Sequence, residues 1–116
     1  MVAVDDAGDA HFALPRMEVG QGITTAFAML IADELDLPIE RVHVSLAPAR
    51  PELLFNQLTG GSNTVVSMYT PVRVAAAVAR KALLEAAAIL LGGQVDFLVA
   101  KLGVISLPGG GSVTYG

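Results

Sequence analysis

Two glycine-rich turns carry the residue types best suited to chemistry, Gly20-Gln21-Gly22 and Thr59-Gly60-Gly61-Ser62-Asn63-Thr64. A run with helical periodicity follows each, so each should stand at a helix N-terminus. There the first backbone N–H groups lack intrahelical acceptors and carry a partial positive charge, and glycine lets a ligand approach the main chain. Ser62 and Thr64 add hydroxyl donors, and Gln21 adds an amide that both donates and accepts. Together these are the parts of an anion or phosphate cradle. Either turn alone is explained as well by local structure, because glycine is an ordinary turn residue before a helix and serine an ordinary N-cap. With both in one small domain, the binding reading and the plain-turn reading stand side by side.

Other chemistries find little support. There is no Gly-x-x-x-x-Gly-Lys-Ser/Thr, so the chain has no P-loop. Gly20-x-Gly22-x-x-Thr25 mimics a dinucleotide fingerprint, but the third glycine is missing, and Glu40 precedes the next strand where a ribose-binding acid should follow it. His11 and His43 are isolated along the chain, and His43 alternates with core positions, which suits an exposed strand site rather than a metal ligand. Asp5, Asp6 and Asp9 read as turn residues, Asp33, Glu34 and Asp36 as solvated acids near a helix end, and Met17, Met29 and Met68 as packing residues. No Ser–His–acid set follows from spacing. The absence of cysteine excludes disulfides, Cys-ligated zinc and iron–sulfur centres within these residues.

The elements that must position the turns follow from patterning. Val2–Asp5 and Ala10–Leu14 flank Asp6-Ala7-Gly8-Asp9 as a hairpin ended by Pro15. Ile23, Phe27, Leu30, Ile31 and Leu35 recur at helical spacing until Pro38, and Pro38–Arg41 can form one further turn. Val42, Val44 and Leu46 alternate with His43 and Ser45 as a half-buried strand. Pro48 and Pro51 then break regularity. From Ser62 to Leu91 an Ala-rich helical pattern runs on, with Pro71 either bending it or following a Thr70 cap that starts a new helix, and Gly92-Gly93 ends it. Val95–Leu102 fits a short helix or a strand. Val104–Leu107 and Ser112–Tyr115 flank Pro-Gly-Gly-Gly as a second hairpin. The expected fold is α+β in two layers, two main helices packed on one face of a small mixed β-sheet, with 1–116 a single domain.

Composition says what such a domain does not do alone. Only 16% of its 116 residues are charged and 53% are apolar, too few charges to cover a free surface well, so part of the exterior is expected to be covered by protein. The final Val113-Thr114-Tyr115-Gly116 runs out without a tapering segment, as in a piece of a longer chain. A net charge of -4, scattered Lys and Arg, and 5% aromatics argue against nucleic acid as a partner. Arg73, Arg80, Lys81 and Glu85 interrupt the longest apolar stretch, which excludes it as a membrane span. No charged-then-apolar signal opens the chain, any targeting segment of a longer chain would lie upstream, and the residues identify no compartment.

Glu18-Val19-Gly20-Gln21-Gly22-Ile23-Thr24-Thr25 followed by Leu30-Ile31-Ala32-Asp33-Glu34-Leu35, then Thr59-Gly60-Gly61-Ser62 and its long helix, resembles the xanthine dehydrogenase/aldehyde oxidase family. In particular it resembles the large subunit of the isoquinoline 1-oxidoreductase type. Gly103-Val104-Ile105 and Ser112–Gly116 extend it over nearly the whole chain. The resemblance implies a fragment of the molybdopterin-binding domain of a larger subunit in a molybdenum hydroxylase. Such enzymes hydroxylate N-heterocycles or aldehydes with oxygen from water, and pass electrons to [2Fe-2S] clusters in a separate small subunit. It implies molybdopterin with molybdenum, in the cytosine dinucleotide form, lying against Gly20, Gln21 and Gly22 and against Gly61, Ser62 and Thr64. Serine often stands in the family where this chain has Thr64, a change that keeps the hydroxyl. The family's catalytic glutamate lies outside this sequence, so no catalytic residue or metal ligand is expected here and the fragment alone should be inactive. A free-standing phosphate- or nucleotide-binding domain and a structural or interaction domain remain as alternatives.

Overall fold

A computed structural model describes residues 1–116. Strand β1 (Val2–Val4) pairs antiparallel with β2 (Ala10–Leu14), and β2 pairs parallel with β3 (Val42–Leu46), His11 opposite His43. Parallel neighbours need a crossover, and helix α1 (Ile23–Leu35) supplies it. In β2 the side chains Ala10, Phe12 and Leu14 are buried while His11 and Ala13 are exposed, the alternation of a sheet with one covered face. From α1, Ile23, Phe27, Ile31 and Leu35 enter the same core one turn apart.

Helix α2 (Asn63–Leu91) runs unbroken through Pro71. The start at Thr70 is therefore overturned. Proline removes one N–H and crowds one carbonyl, and buried Val72 and Ala76 hold the helix against the core immediately beyond it. Small residues let α2 lie close on α1. Arg73 bridges Asp33 at 3.0 Å and Glu34 at 2.7 Å, so two acids expected in free solvent instead tie the helices together.

The α+β architecture is as expected, but its strands divide into two sheets. Strands β4 (Val99–Lys101), β5 (Val104–Ser106) and β6 (Ser112–Thr114) pair only with one another, antiparallel. The ambiguous stretch after α2 contains both a 3-10 turn, Val95–Phe97, and β4. This second sheet docks at the C-terminal end of α1. Tyr115 buries its ring there and donates its hydroxyl to the Leu35 carbonyl at 2.5 Å, while the Gly103 amide donates to the Asp36 carbonyl at 3.0 Å.

The molecule measures 50 × 25 × 23 Å. Its radius of gyration, 15.9 Å, exceeds the roughly 13 Å usual for this length because α2 overhangs the core. Only Thr64, Val72, Ala76 and Ala87 of that helix are buried, and Val74, Val78 and Ile89 face outward uncovered. No helix is long and apolar enough to cross a membrane.

Candidate functional site

Both glycine turns do stand at helix N-termini, and they meet. A cleft of about 430 Å³ is lined by Gln21 and its neighbours Val19 and Ile23 on one side. Thr59, Gly60, Ser62, Asn63, Thr64 and Val65 line the other. Of the residues singled out from sequence, Gln21, Ser62 and Thr64 border this space, whereas Gly20, Gly22 and Gly61 do not. Those three glycines shape the turns instead, at φ of 95°, 82° and 58°, where a Cβ would strain the backbone.

The two turns are not equivalent. At α1, Glu18 folds back on the helix N-terminus. Its Oε1 accepts from the Gly20 amide at 2.9 Å and the Gly22 amide at 3.0 Å; its Oε2 accepts from the Thr24 amide at 3.0 Å and the Thr24 hydroxyl at 3.1 Å. The expectation that the Gly20 and Gly22 amides lie open to a guest is thus corrected, since a side chain of the same loop already occupies them. Donation from the Thr24 amide, then from the Gly22 amide, pulls the Glu18 carboxyl down to about 2. Gln21 is held as well: its Oε1 accepts from the Val19 amide at 2.6 Å and its Nε2 donates to the Met17 carbonyl at 2.9 Å. One hydrogen of that amide and one lone pair stay free for the cleft.

Glu18 also sets a pH dependence. A carboxyl lowered on folding contributes stability that is fully present above its unfolded value and is lost as pH falls through its folded one. The window therefore runs from about 4.5 down to about 2. The stability difference between the wild-type chain and Glu18→Gln, followed by urea denaturation, is expected to shrink across that window. A difference independent of pH there contradicts the assignment.

At α2 no carboxylate fills the N-terminus. Ser62, in the left-handed conformation at φ 55°, makes no capping bond with its side chain, and the first turn has no acidic residue. Arg16 is clamped beside it, donating to Asn63 Oδ1 at 3.1 Å, Ser67 Oγ at 3.3 Å and the Leu58 carbonyl, so a cation backs this turn. Its Nε is buried and has no acceptor within the chain. The Met17 amide donates to Thr59 Oγ1 at 2.8 Å, tying the two cleft walls to each other. Thr64 is only 5% exposed and borders the cleft. Gly60 has no left-handed φ, and a Cβ there would meet nothing within 4 Å, so the domain itself gives no reason for glycine at this position. Arg16 lies outside the motifs read from sequence, and Glu18 and Gly60 lie within them without an expected role of their own. For Glu18 a signal existed, an acid two and four residues before the glycines of a helix start.

On the open face of the first sheet, His11 Nε2 donates to Asp5 Oδ2 at 2.8 Å and His43 Nε2 donates to Asp9 Oδ2 at 2.9 Å, with the imidazoles stacked at 5.1 Å. These bonds lower both aspartates. No group of three or more His, Cys, Asp or Glu side chains is arranged to hold a metal.

The fold is that of known molybdenum enzymes. Covering 98% of this chain and 14% of the other, it matches the Cu,Mo-CO dehydrogenase in its carbon monoxide reduced state with a TM-score of 0.77 at 21% identity. Over equal coverage it matches quinoline 2-oxidoreductase from Pseudomonas putida 86 with a TM-score of 0.73 at 20% identity. The sequence pattern of the molybdopterin cofactor-binding domain matches residues 1–116, and the chain belongs to that family, as the resemblance implied. It is 34% identical over 115 residues to one of the subunits of nicotinate dehydrogenase from Pseudomonas putida, covering 98% of this chain and 10% of the relative. It is 34% identical over 110 residues to the beta subunit of isoquinoline 1-oxidoreductase from Brevundimonas diminuta, covering 90% and 14%. The chain therefore spans a small part of the length of these relatives. Its role is that of a molybdopterin cofactor-binding domain.

Proposed function

We propose that the cleft between Gln21 and the Ser62–Thr64 turn is this domain's share of the molybdopterin site. The carrying observation is the cleft itself, which brings Gln21 of one glycine turn and Ser62 and Thr64 of the other to border a single space. Helix α2 turns to that space an N-terminus with no side-chain cap and no acidic residue in its first turn, where a negatively charged group is favoured. Ser62, the α2 amides and the Thr64 hydroxyl offer donors to phosphate oxygens, with Arg16 behind them. Gln21 offers a donor and an acceptor to a heterocycle edge. Gly60 leaves room for close approach, and Gly20, Gly22 and Gly61 set the shape of the walls. These residues fit the cofactor, in the cytosine dinucleotide form that the resemblance implies, and when bound it supplies the two-electron oxidation of the substrate carbon.

Residues 1–116 are then a fragment of a larger cofactor-binding subunit. The rest of that subunit covers the outer stripe of α2 and carries the base and the substrate pocket, and a small [2Fe-2S] subunit takes the electrons. The substrate is a small N-heterocycle, by analogy with relatives named for nicotinate and isoquinoline, or an aldehyde. The chain alone is inactive and retains no stoichiometric molybdenum. The test is Thr64→Val together with Gln21→Ala in the complete subunit. Molybdenum content and turnover should each fall by at least about tenfold, the loss of roughly 1.4 kcal/mol of binding. Unchanged metal content and turnover would sink the reading.

A further inference from the structure

We propose that Glu18 is a built-in anion that closes the N-terminus of α1, so that within the cleft only α2 offers its helix terminus to the negatively charged part of a ligand. The inference rests on the reading of the cleft as a cofactor site, and it divides labour between the two walls. By sequence the walls look alike, each with glycines before a helix. By structure they carry opposite charge relations. The three amides of Gly20, Gly22 and Thr24 and the Thr24 hydroxyl all end on the two oxygens of Glu18. A phosphate approaching α1 would have to displace a tethered carboxylate, which is present at a high effective concentration because it belongs to the same loop. It would also meet that carboxylate's negative charge. At α2 neither obstacle exists: there is no acid in the first turn, no side-chain cap from Ser62, and Arg16 stands bonded to Asn63 at the first helical residue.

The carboxylate also positions Gln21. Its bonds to Gly20 and Gly22 pin the residues on either side of Gln21, while the Gln21 amide is bonded back to Val19 and Met17. The loop is therefore held from within on both sides. Its contribution to the cleft is a fixed neutral edge, suited to an uncharged heterocycle rather than to a phosphate. Glu18 acts through Gln21 and the α1 amides and is a positioning residue.

Phosphate titration of the 15N-labelled chain tests this, with inorganic phosphate as the probe. In the wild type, the Gly20, Gly22 and Thr24 amide signals should stay still. In Glu18→Ala, the Gly22 and Thr24 signals should move with phosphate in a saturable way, and in the isosteric Glu18→Gln they should move less. Signals from Leu35, at the far end of α1, and from Ile105 in β5, both buried, report whether each variant keeps its fold. A wild-type response at Gly22 and Thr24 overturns the inference, and so does their silence in a folded Glu18→Ala. The Ser62, Asn63 and Thr64 signals answer the separate question. If they ignore phosphate in every protein while Gly22 and Thr24 respond only when Glu18 is gone, the closure of α1 stands and the reading of the α2 turn as a phosphate wall falls.

Discussion

Gly60→Val in the complete subunit is expected to lower cofactor retention by roughly tenfold to a hundredfold while leaving the domain as stable as before or slightly more stable. The two effects separate because Gly60 is glycine for no internal reason. Its backbone is outside the left-handed region and a Cβ would touch nothing of the chain. Replacing a glycine whose backbone a side chain can adopt removes unfolded-state freedom and stabilises by about 0.4–1 kcal/mol. Gly60 borders the same space as Ser62, Thr64 and Gln21, so a valine there is expected to narrow it. Forcing extra carbons into a filled site costs about 1–3 kcal/mol, which is the expected loss of affinity. Gly61→Val is the contrasting variant: at φ 58° it strains the backbone whether or not a ligand is present, so it should lower stability in the isolated chain too. Metal analysis of the purified subunit and the urea midpoint of the isolated chain give the two readouts. Normal molybdenum content in Gly60→Val would remove the cleft from consideration as the cofactor's seat.

What could be read before the structure was whatever depends on short-range periodicity. Ile23, Phe27, Ile31 and Leu35 fall four residues apart and define α1, and the alternation around His43 marks a half-buried strand, although Leu46 at its end is exposed. The two glycine turns could be placed at helix starts on the same grounds. Their inequivalence could not, because it depends on where a side chain goes. Glu18 reaches forward to Thr24, and Arg16 reaches Asn63 across forty-seven residues of sequence. The division into two sheets was hidden for a similar reason. Each strand of the second set is only three residues long, and local alternation says nothing about which strand it will pair with. Asp33 and Glu34 have the composition of solvated helix-end acids, and only the packing of α2 brings Arg73 to them.

The largest effect on stability is expected from Phe27→Ala, about 3–5 kcal/mol, against the 5–15 kcal/mol that holds ordinary domains together. Phe27 is fully buried, and its ring lies 6.4 Å from that of Phe12, joining α1 to the first sheet. With so thin a core the loss should leave much of the chain unfolded at room temperature, visible as a collapse of the urea midpoint. Ile89→Lys is the informative counterpart. Ile89 is 83% exposed on the outer stripe of α2, so in the isolated chain the change should cost within about 0.5 kcal/mol and reduce self-association. In the complete subunit the sign of its benefit should reverse. If the remaining chain packs on this stripe, a lysine there must bury an unpaired charge, and the soluble yield and thermal midpoint of the whole subunit should both drop. A substitution that is harmless in residues 1–116 alone and damaging in a longer subunit would have no explanation in the contacts of residues 1–116, so the contrast tests for a neighbour on this stripe. Equal tolerance in both settings would mean that the stripe is an ordinary free surface and that the overhang of α2 has another cause.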